Sequence, residues 1–152
     1  MNNFDTHELA WCAGFFDGEG STYSQLQSAR DRKYINVHIT LDVAQVNPLL
    51  LHKFNNAIGG YGWFHTSKLR TAKFEHVQYI MCLLWKWLGP IKKEQYKKTS
   101  REYLLNCWKP KFDRISIYRR DYNKYGSAAM RNKMLLYNIP SGQLINPFEK
   151  VV

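Results

Sequence analysis

Leu9-Ala10-Trp11-Cys12-Ala13-Gly14-Phe15-Phe16-Asp17-Gly18-Glu19-Gly20 is the stretch on which the fold turns. Asp5 can cap a helix just ahead of it, and Glu8, three residues on, completes a capping-box-like arrangement. The run from Leu9 to Phe16 is helical in length and composition, and Gly20 reads as a natural helix stop. Ala10, Gly14 and Gly18 recur at i, i+4 and i+8, so they share one stripe of that helix. Small residues at this spacing let a second helix approach backbone against backbone. Asp17 and Glu19 stand at the end of the stripe. Two such helices side by side would bring their acidic ends together. Close carboxylates are hard to ionise together unless a cation sits between them, and their oxygens suit Mg²⁺.

Downstream, residues 21–30 read as a strand and Asp31-Arg32 as a turn. Residues 33–43 alternate strictly, with Ile35, Val37, Ile39 and Leu41 on one side and Asn36, His38, Thr40 and Asp42 on the other, the pattern of a half-buried strand. The polar row is rich in hydrogen-bonding groups rather than in the charges of an ordinary solvent face. Asn47-Pro48 starts a helix, a capping side chain followed by proline at the first helical position. Leu50, Leu51, Phe54, Ala57 and Ile58 share one face of it, and Gly59-Gly60 ends it. Residues 61–70 and 72–79 read as a second hairpin. Residues 80–88 read as an apolar helix stopped by Gly89-Pro90, and residues 92–108 as a last helix with Tyr96, Ser100, Tyr103, Leu104, Cys107 and Trp108 inward. Two hairpins alternating with helices make an α+β pattern. Lys109-Pro110 breaks the chain, which divides it into a core of residues 1–108 and a basic, partly helical extension of residues 109–152.

The chain has 152 residues, 45% of them hydrophobic, enough for one domain with a buried core. Its formal net charge is +10, and a chain this basic pairs with something anionic, most often nucleic acid. The charge is uneven. Residues 1–91 carry 8 Lys+Arg against 7 Asp+Glu, while residues 92–152 carry 14 against 5. Sequence-independent attraction to phosphates therefore belongs mainly to the last third, and the extension, with Lys111, Arg114, Arg119, Arg120, Lys124, Arg131 and Lys133, is expected to touch flanking phosphates. Cys12, Cys82 and Cys107 show no zinc or redox spacing, and an odd count points to an intracellular, reducing compartment. No apolar run reaches membrane-spanning length, and the N-terminus has no signal-peptide pattern.

Ala13 through Ser21 resembles the LAGLIDADG motif in its variant AGF-x-DGEGS, and the order of elements over residues 5–108 resembles that family's αββαββα fold with a saddle-shaped antiparallel sheet. The resemblance implies a homing endonuclease that hydrolyses both strands of double-stranded DNA with Mg²⁺, or with Mn²⁺ substituting. The motif occurs once, and family members with one motif are homodimers. A two-fold protein reads a two-fold site, so a long, roughly palindromic target follows. The implied dimer interface is Ala10, Ala13, Gly14 and Gly18. The rival classes are an RNA-splicing maturase and a non-catalytic DNA-binding regulator on the same fold.

By the same resemblance, Glu19 takes the position of the metal-binding acid, with the carbonyl of Gly18 as a second ligand, and Asp17 supports the helix ends. Gln45 matches the residue that orders the attacking water, and reads equally as a solvated side chain before a helix cap. Lys92, with Lys93 as its rival, matches the lysine that steadies charge at the scissile phosphate. Lysine is disfavoured at the positive end of a helix, so one placed there calls for an anion. The hairpins would lie along the major groove, which admits β-ribbons. The base-contacting candidates are Tyr23, Gln25, Gln27 and Arg30 on the first strand and Asn36, His38, Thr40 and Asp42 on the second. Trp63, His65, Lys68, Arg70, Lys73 and Glu75 come from the second hairpin. Gln and Asn pair with adenine, Arg with guanine.

Overall fold

The structure, a computed structural model, describes residues 4–28 and 35–106. Arg30, the Asp31-Arg32 turn, Cys107, Trp108 and the whole extension from Lys109 lie outside the described residues.

The first helix, α1 (Thr6–Glu19), begins where Asp5 accepts a hydrogen bond from the backbone N–H of His7 at 2.9 Å. Leu9, Cys12, Ala13 and Phe16 fall at i, i+3, i+4 and i+7, and all four are buried. The helix runs directly into β1 (Gly20–Ser28), which pairs antiparallel with β2 (Ile35–Ala44). Asn47 caps α2 (Pro48–Ala57) with Pro48 at its first position, as the sequence predicts. A short hairpin, β3 (Trp63–His65) and β4 (Lys68–Thr71), adds to the sheet through β4, giving the order β1-β2-β4-β3. Then come α3 (Phe74–Leu84), a 3₁₀ turn over Trp85–Trp87 and α4 (Pro90–Asn106). Ile39, Leu41, Val43 and Leu69 supply the sheet's side of the core, packed with Phe16, Phe54, Ile80 and Tyr96 from the helices. The inward face expected for the last helix holds for Tyr96 and Ser100, which are fully buried, and for Tyr103, whose ring stacks on Phe74 at 5.1 Å.

Two expectations are corrected. Residues 72–79 are not a strand: α3 begins at Phe74. Every residue from Val77 to Trp85 is buried, so neither period shows in the sequence. The polar Gln78 that breaks this run is itself buried, accepting a hydrogen bond from the Tyr96 hydroxyl. Lys73 therefore stands at the N-cap position of α3 and Glu75 in its first turn, off the second hairpin altogether. Ala13, expected between two protomers, is 0% exposed within its own chain and belongs to the core.

Gly20 stands at the C-cap of α1, where the sequence puts the helix stop. It is extended (φ −97°, ψ 160°) rather than left-handed, so conformation alone does not demand glycine there. Space does: a Cβ would lie 2.1 Å from Cδ2 of Phe16, a fully buried ring. Gly20→Ala should therefore cost about 1–3 kcal/mol through overpacking. In urea unfolding the midpoint should fall while the slope stays unchanged; an unmoved midpoint would show that Phe16 yields freely.

The β3–β4 connection has two central residues, Thr66 and Ser67. Such turns need φ > 0 at their first central position, and Thr66 takes φ 51° there. A β-branched residue in this region is strained, and among the described residues its hydroxyl bonds to the neighbouring carbonyl of His65, at 2.7 Å. Thr66→Gly is expected to stabilise the protein by about 1 kcal/mol, raising the melting temperature by several degrees; an unchanged or lower melting temperature would mean the strain is already relieved.

Candidate functional site

The acidic end of α1 splits into two roles. Asp17 accepts hydrogen bonds from the backbone N–H of Gly89 on both carboxylate oxygens, at 3.1 and 2.9 Å. It thereby ties the end of α1 to the start of α4. Glu19 is exposed, and its carboxylate has no hydrogen bond or ion pair among the described residues. One turn into α4, the Lys92 ammonium donates to the carbonyl of Gly20 at 2.5 Å, which fixes a positive charge beside the motif's end. Lys93 points elsewhere, its Nζ 5.4 Å from the centre of the Trp85 ring. Of the two lysines, the structure brings Lys92 to the motif.

Gln45 is not joined to this group. Its side-chain oxygen accepts from the backbone N–H of Val46 at 2.8 Å and, more weakly, from Asn47 at 3.4 Å, and no hydrogen bond links it to Glu19 or Lys92. Within one chain, no group of three or more His, Cys, Asp or Glu side chains among the described residues could hold a metal ion. The donors at the motif's end are a free carboxylate, Glu19, and the carbonyl of Gly18. These hard oxygens fit Mg²⁺, which is bound through one or two carboxylates with waters and phosphate oxygens completing its shell.

Among the described residues, the outer stripe of α1 is open. Gly14 and Gly18 are exposed there, and a Cβ built on either meets none of them within 4 Å, so their packing gives no reason for glycine at these positions. Ala10 is half-buried. Cys12, on the opposite side, is sealed in the core. Burial, then the nearby Glu8 charge, pushes its thiol up to about 12, against a smaller opposite pull from Lys53, so it is no nucleophile.

The strand register gathers the base-contacting candidates on one side of the sheet. Tyr23 lies opposite Thr40, Gln25 opposite His38, Asp42 opposite Arg70, Arg70 opposite Trp63, and Lys68 opposite His65. Gln27 is paired with Asn36 further along β1 and β2. Gln25, His38, Trp63, His65 and Lys68 are exposed, as a reading face requires. Thr40 and Asp42 are not; each is 7% exposed, which corrects their expected place in the exposed row.

The reason is a polar cluster across three strands. Asp42 accepts from the Tyr23 hydroxyl at 2.8 Å, from Arg70 Nε at 2.7 Å and from Arg70 Nη2 at 3.0 Å. Burial by itself would raise the Asp42 carboxyl. The hydrogen bonds from Arg70 and Tyr23 and the charges of Arg70 and Lys68 outweigh it and hold that carboxyl below its ordinary value. Burial, and then the bond to Asp42, pushes the Tyr23 phenol up. Asp42 is thus ionised across the neutral range, and its stabilising contribution is lost only as pH falls below the ordinary carboxylate value, through the lower folded one. Sequence reasoning placed all three residues in one row but missed that they bind one another. No spacing signals a contact that depends on the register of β1, β2 and β4.

No known family profile matches the chain, and no curated protein matches it. Solved structures do. The chain is similar to the homing endonuclease I-CvuI in complex with its target in the presence of Ca, at 19% identity and TM-score 0.50, covering 80% of this chain and 98% of that one. It is similar to the LAGLIDADG homing endonuclease I-GzeII in complex with its DNA target, at 16% identity and TM-score 0.54, covering 95% of this chain and 53% of that one. It is also similar to the group I intron-encoded homing endonuclease I-CeuI complexed with DNA, at 14% identity and TM-score 0.51, covering 90% and 66%. The chain thus spans nearly all of I-CvuI but only about half of I-GzeII. Its fold is that of the LAGLIDADG homing endonucleases, an α+β architecture with a four-stranded antiparallel sheet.

Proposed function

We propose that this chain is a LAGLIDADG homing endonuclease that works as a homodimer and hydrolyses both strands of a long, roughly palindromic DNA site with Mg²⁺. The observation that carries the reading is Glu19. It is an uncommitted carboxylate at the tip of a helix whose Gly14–Gly18 side has open space, next to a fixed ammonium at Lys92. The glycine stripe accepts the same stripe of a second copy, so two Glu19 side chains meet at the two-fold axis. The match to nearly all of one endonuclease and about half of another supports a one-motif chain that must pair. The solved complexes with DNA support double-stranded DNA as the partner.

Glu19 and the Gly18 carbonyl would hold the divalent ion. When bound, Mg²⁺ supplies positive charge to the phosphate and makes water a better nucleophile. Lys92 steadies the negative charge that grows on the scissile phosphate, and Gln45 orders the attacking water. The polar side of the sheet lies in the major groove, with Gln25, His38, His65 and Lys68 towards the bases. Each protomer cuts one strand, which leaves staggered ends.

The test is to incubate the purified protein with a randomised palindromic duplex library and Mg²⁺ and to sequence the cut ends. One family of related sites with staggered ends is expected, and none in the presence of a chelator. Nucleic-acid binding without Mg²⁺-dependent cutting would hand the chain to the RNA-splicing or regulatory reading instead.

A further inference from the structure

We propose that Arg70 reads a guanine in each half-site, and that Asp42 and Tyr23 are positioning residues that fix its guanidinium for that purpose. This rests on the reading of the chain as a DNA-binding endonuclease and adds a base and a mechanism to it. Asp42 holds the Nε–Nη2 edge of Arg70 side-on, at 2.7 and 3.0 Å. Asp42 cannot reach DNA itself: its side chain is 9% exposed, whereas that of Arg70 is 31% exposed. With one edge occupied, the end-on edge formed by Nη1 and Nη2 still offers two parallel donors. Guanine presents two neighbouring acceptors in the major groove, O6 and N7, and so matches that fork. Adenine offers a donor beside its N7, and cytosine offers a donor, so both set N–H against N–H.

Two observations favour a base over a phosphate. First, Arg70 lies on β4, which has β2 on one side and β3 on the other. An interior strand of a ribbon in the groove faces base edges, while the rims meet the backbone. Second, Asp42 is ionised beneath the guanidinium, so the pair carries little net charge. A phosphate counter-ion needs that charge; a directional donor to a neutral base does not. The lock also removes side-chain freedom before DNA arrives, which lowers the entropy lost on binding. Tyr23 completes it by donating to Asp42 Oδ2 at 2.8 Å, leaving the carboxylate in one orientation.

The experiment selects binding sites from a randomised palindromic duplex library in Ca²⁺, with the full chain and with Arg70→Lys, Asp42→Asn, Tyr23→Phe and, as a control, Gln25→Ala. The unaltered protein is expected to prefer guanine at one position per half-site by about tenfold to a hundredfold. Arg70→Lys keeps the charge and loses the fork, so that one column should go flat. Asp42→Asn should flatten the same column and no other, Tyr23→Phe should weaken it several-fold, and Gln25→Ala should leave it intact. Tyr23→Phe keeps the ring, so it decides the matter should Asp42→Asn fail to fold by circular dichroism. The proposal is overturned if Arg70→Lys leaves the guanine column in place, or if folded Asp42→Asn or Tyr23→Phe shows the original profile. A uniform loss of affinity on Arg70→Ala, with a salt slope reduced by about one, would make Arg70 a phosphate contact instead. If the unaltered protein selects no duplex at all, the endonuclease reading falls with it. A profile lacking an Arg70-dependent guanine overturns this proposal alone.

Discussion

Glu19→Gln should leave a protein that folds, pairs and binds its DNA site but cuts it at least about a thousandfold more slowly. The change is isosteric and removes only the charge. Glu19 makes no hydrogen bond or ion pair among the described residues, and a surface substitution away from such contacts moves stability by no more than about 0.5 kcal/mol. An amide is a poor ligand for Mg²⁺, and the ion's stabilisation of transition-state charge is worth several kcal/mol; about 4 kcal/mol is a factor of a thousand in rate. Two facing carboxylates also repel when no cation lies between them. In a chelator, Glu19→Gln should therefore dimerise more tightly than the unaltered protein, a second effect that a purely structural residue would not show.

The neighbouring acid makes the contrast. Asp17 spends both oxygens on Gly89, so Asp17→Ala should lose stability, by about 1.5–3 kcal/mol for hydrogen bonds to a charged group. Single-turnover cleavage with melting curves on both variants separates the two acids. Wild-type cutting by Glu19→Gln, or an unchanged melting temperature for Asp17→Ala, would mean that the roles are misassigned.

How much of this could be read from the chain alone depended on whether the determining contact was local. The Asp5 cap and the length and composition of the run from Leu9 to Phe16 are local, so α1 was legible, as was the cap at Asn47 with Pro48 behind it. β2 was legible for the opposite reason: Ile39, Leu41 and Val43 face the core at every second position. α3 was not, because from Val77 onward it is buried on all sides and has no polar face to set its period, and its first residues pass for a strand. Ala13 shares the motif with Gly14, and only the packed chain shows that it faces inward while Gly14 faces outward. Gly20 ends α1 as read, but the need for glycine there is a matter of room for Phe16, which no spacing shows. At the site, the motif's resemblance had already divided Asp17 from Glu19 and put Lys92 ahead of Lys93, but the contacts of Asp17 with Gly89 and of Lys92 with Gly20 depend on where α4 starts relative to α1. That is a long-range relation to which no spacing within either helix is sensitive. The same holds for the cluster at Asp42, which joins positions that the sequence keeps far apart.

Gly14→Leu should act with opposite signs on the protomer and on the pair. Among the described residues, Gly14 is an exposed helix-interior residue whose added Cβ meets nothing within 4 Å. Replacing glycine by a good helix former there gains up to about 1 kcal/mol of helix stability. Across a two-fold axis, the same side chain intrudes on a backbone-to-backbone contact, and symmetry makes it intrude twice. Overpacking costs about 1–3 kcal/mol at each intrusion, so the pair should weaken by about 2–6 kcal/mol, or by about thirtyfold or more in its dissociation constant. In the proposed dimer cleavage needs both acidic tips, so at nanomolar protein it should vanish while the melting temperature of the dilute protomer holds or rises. Sedimentation across a concentration series, with melting curves at its dilute end, reads both effects from one preparation. A Gly14→Leu protein that stays paired and cuts normally would place the contact between copies on another surface. One that simply melts early would mean that the open side of α1 is covered within the chain, and the two acidic tips would then have no route to each other.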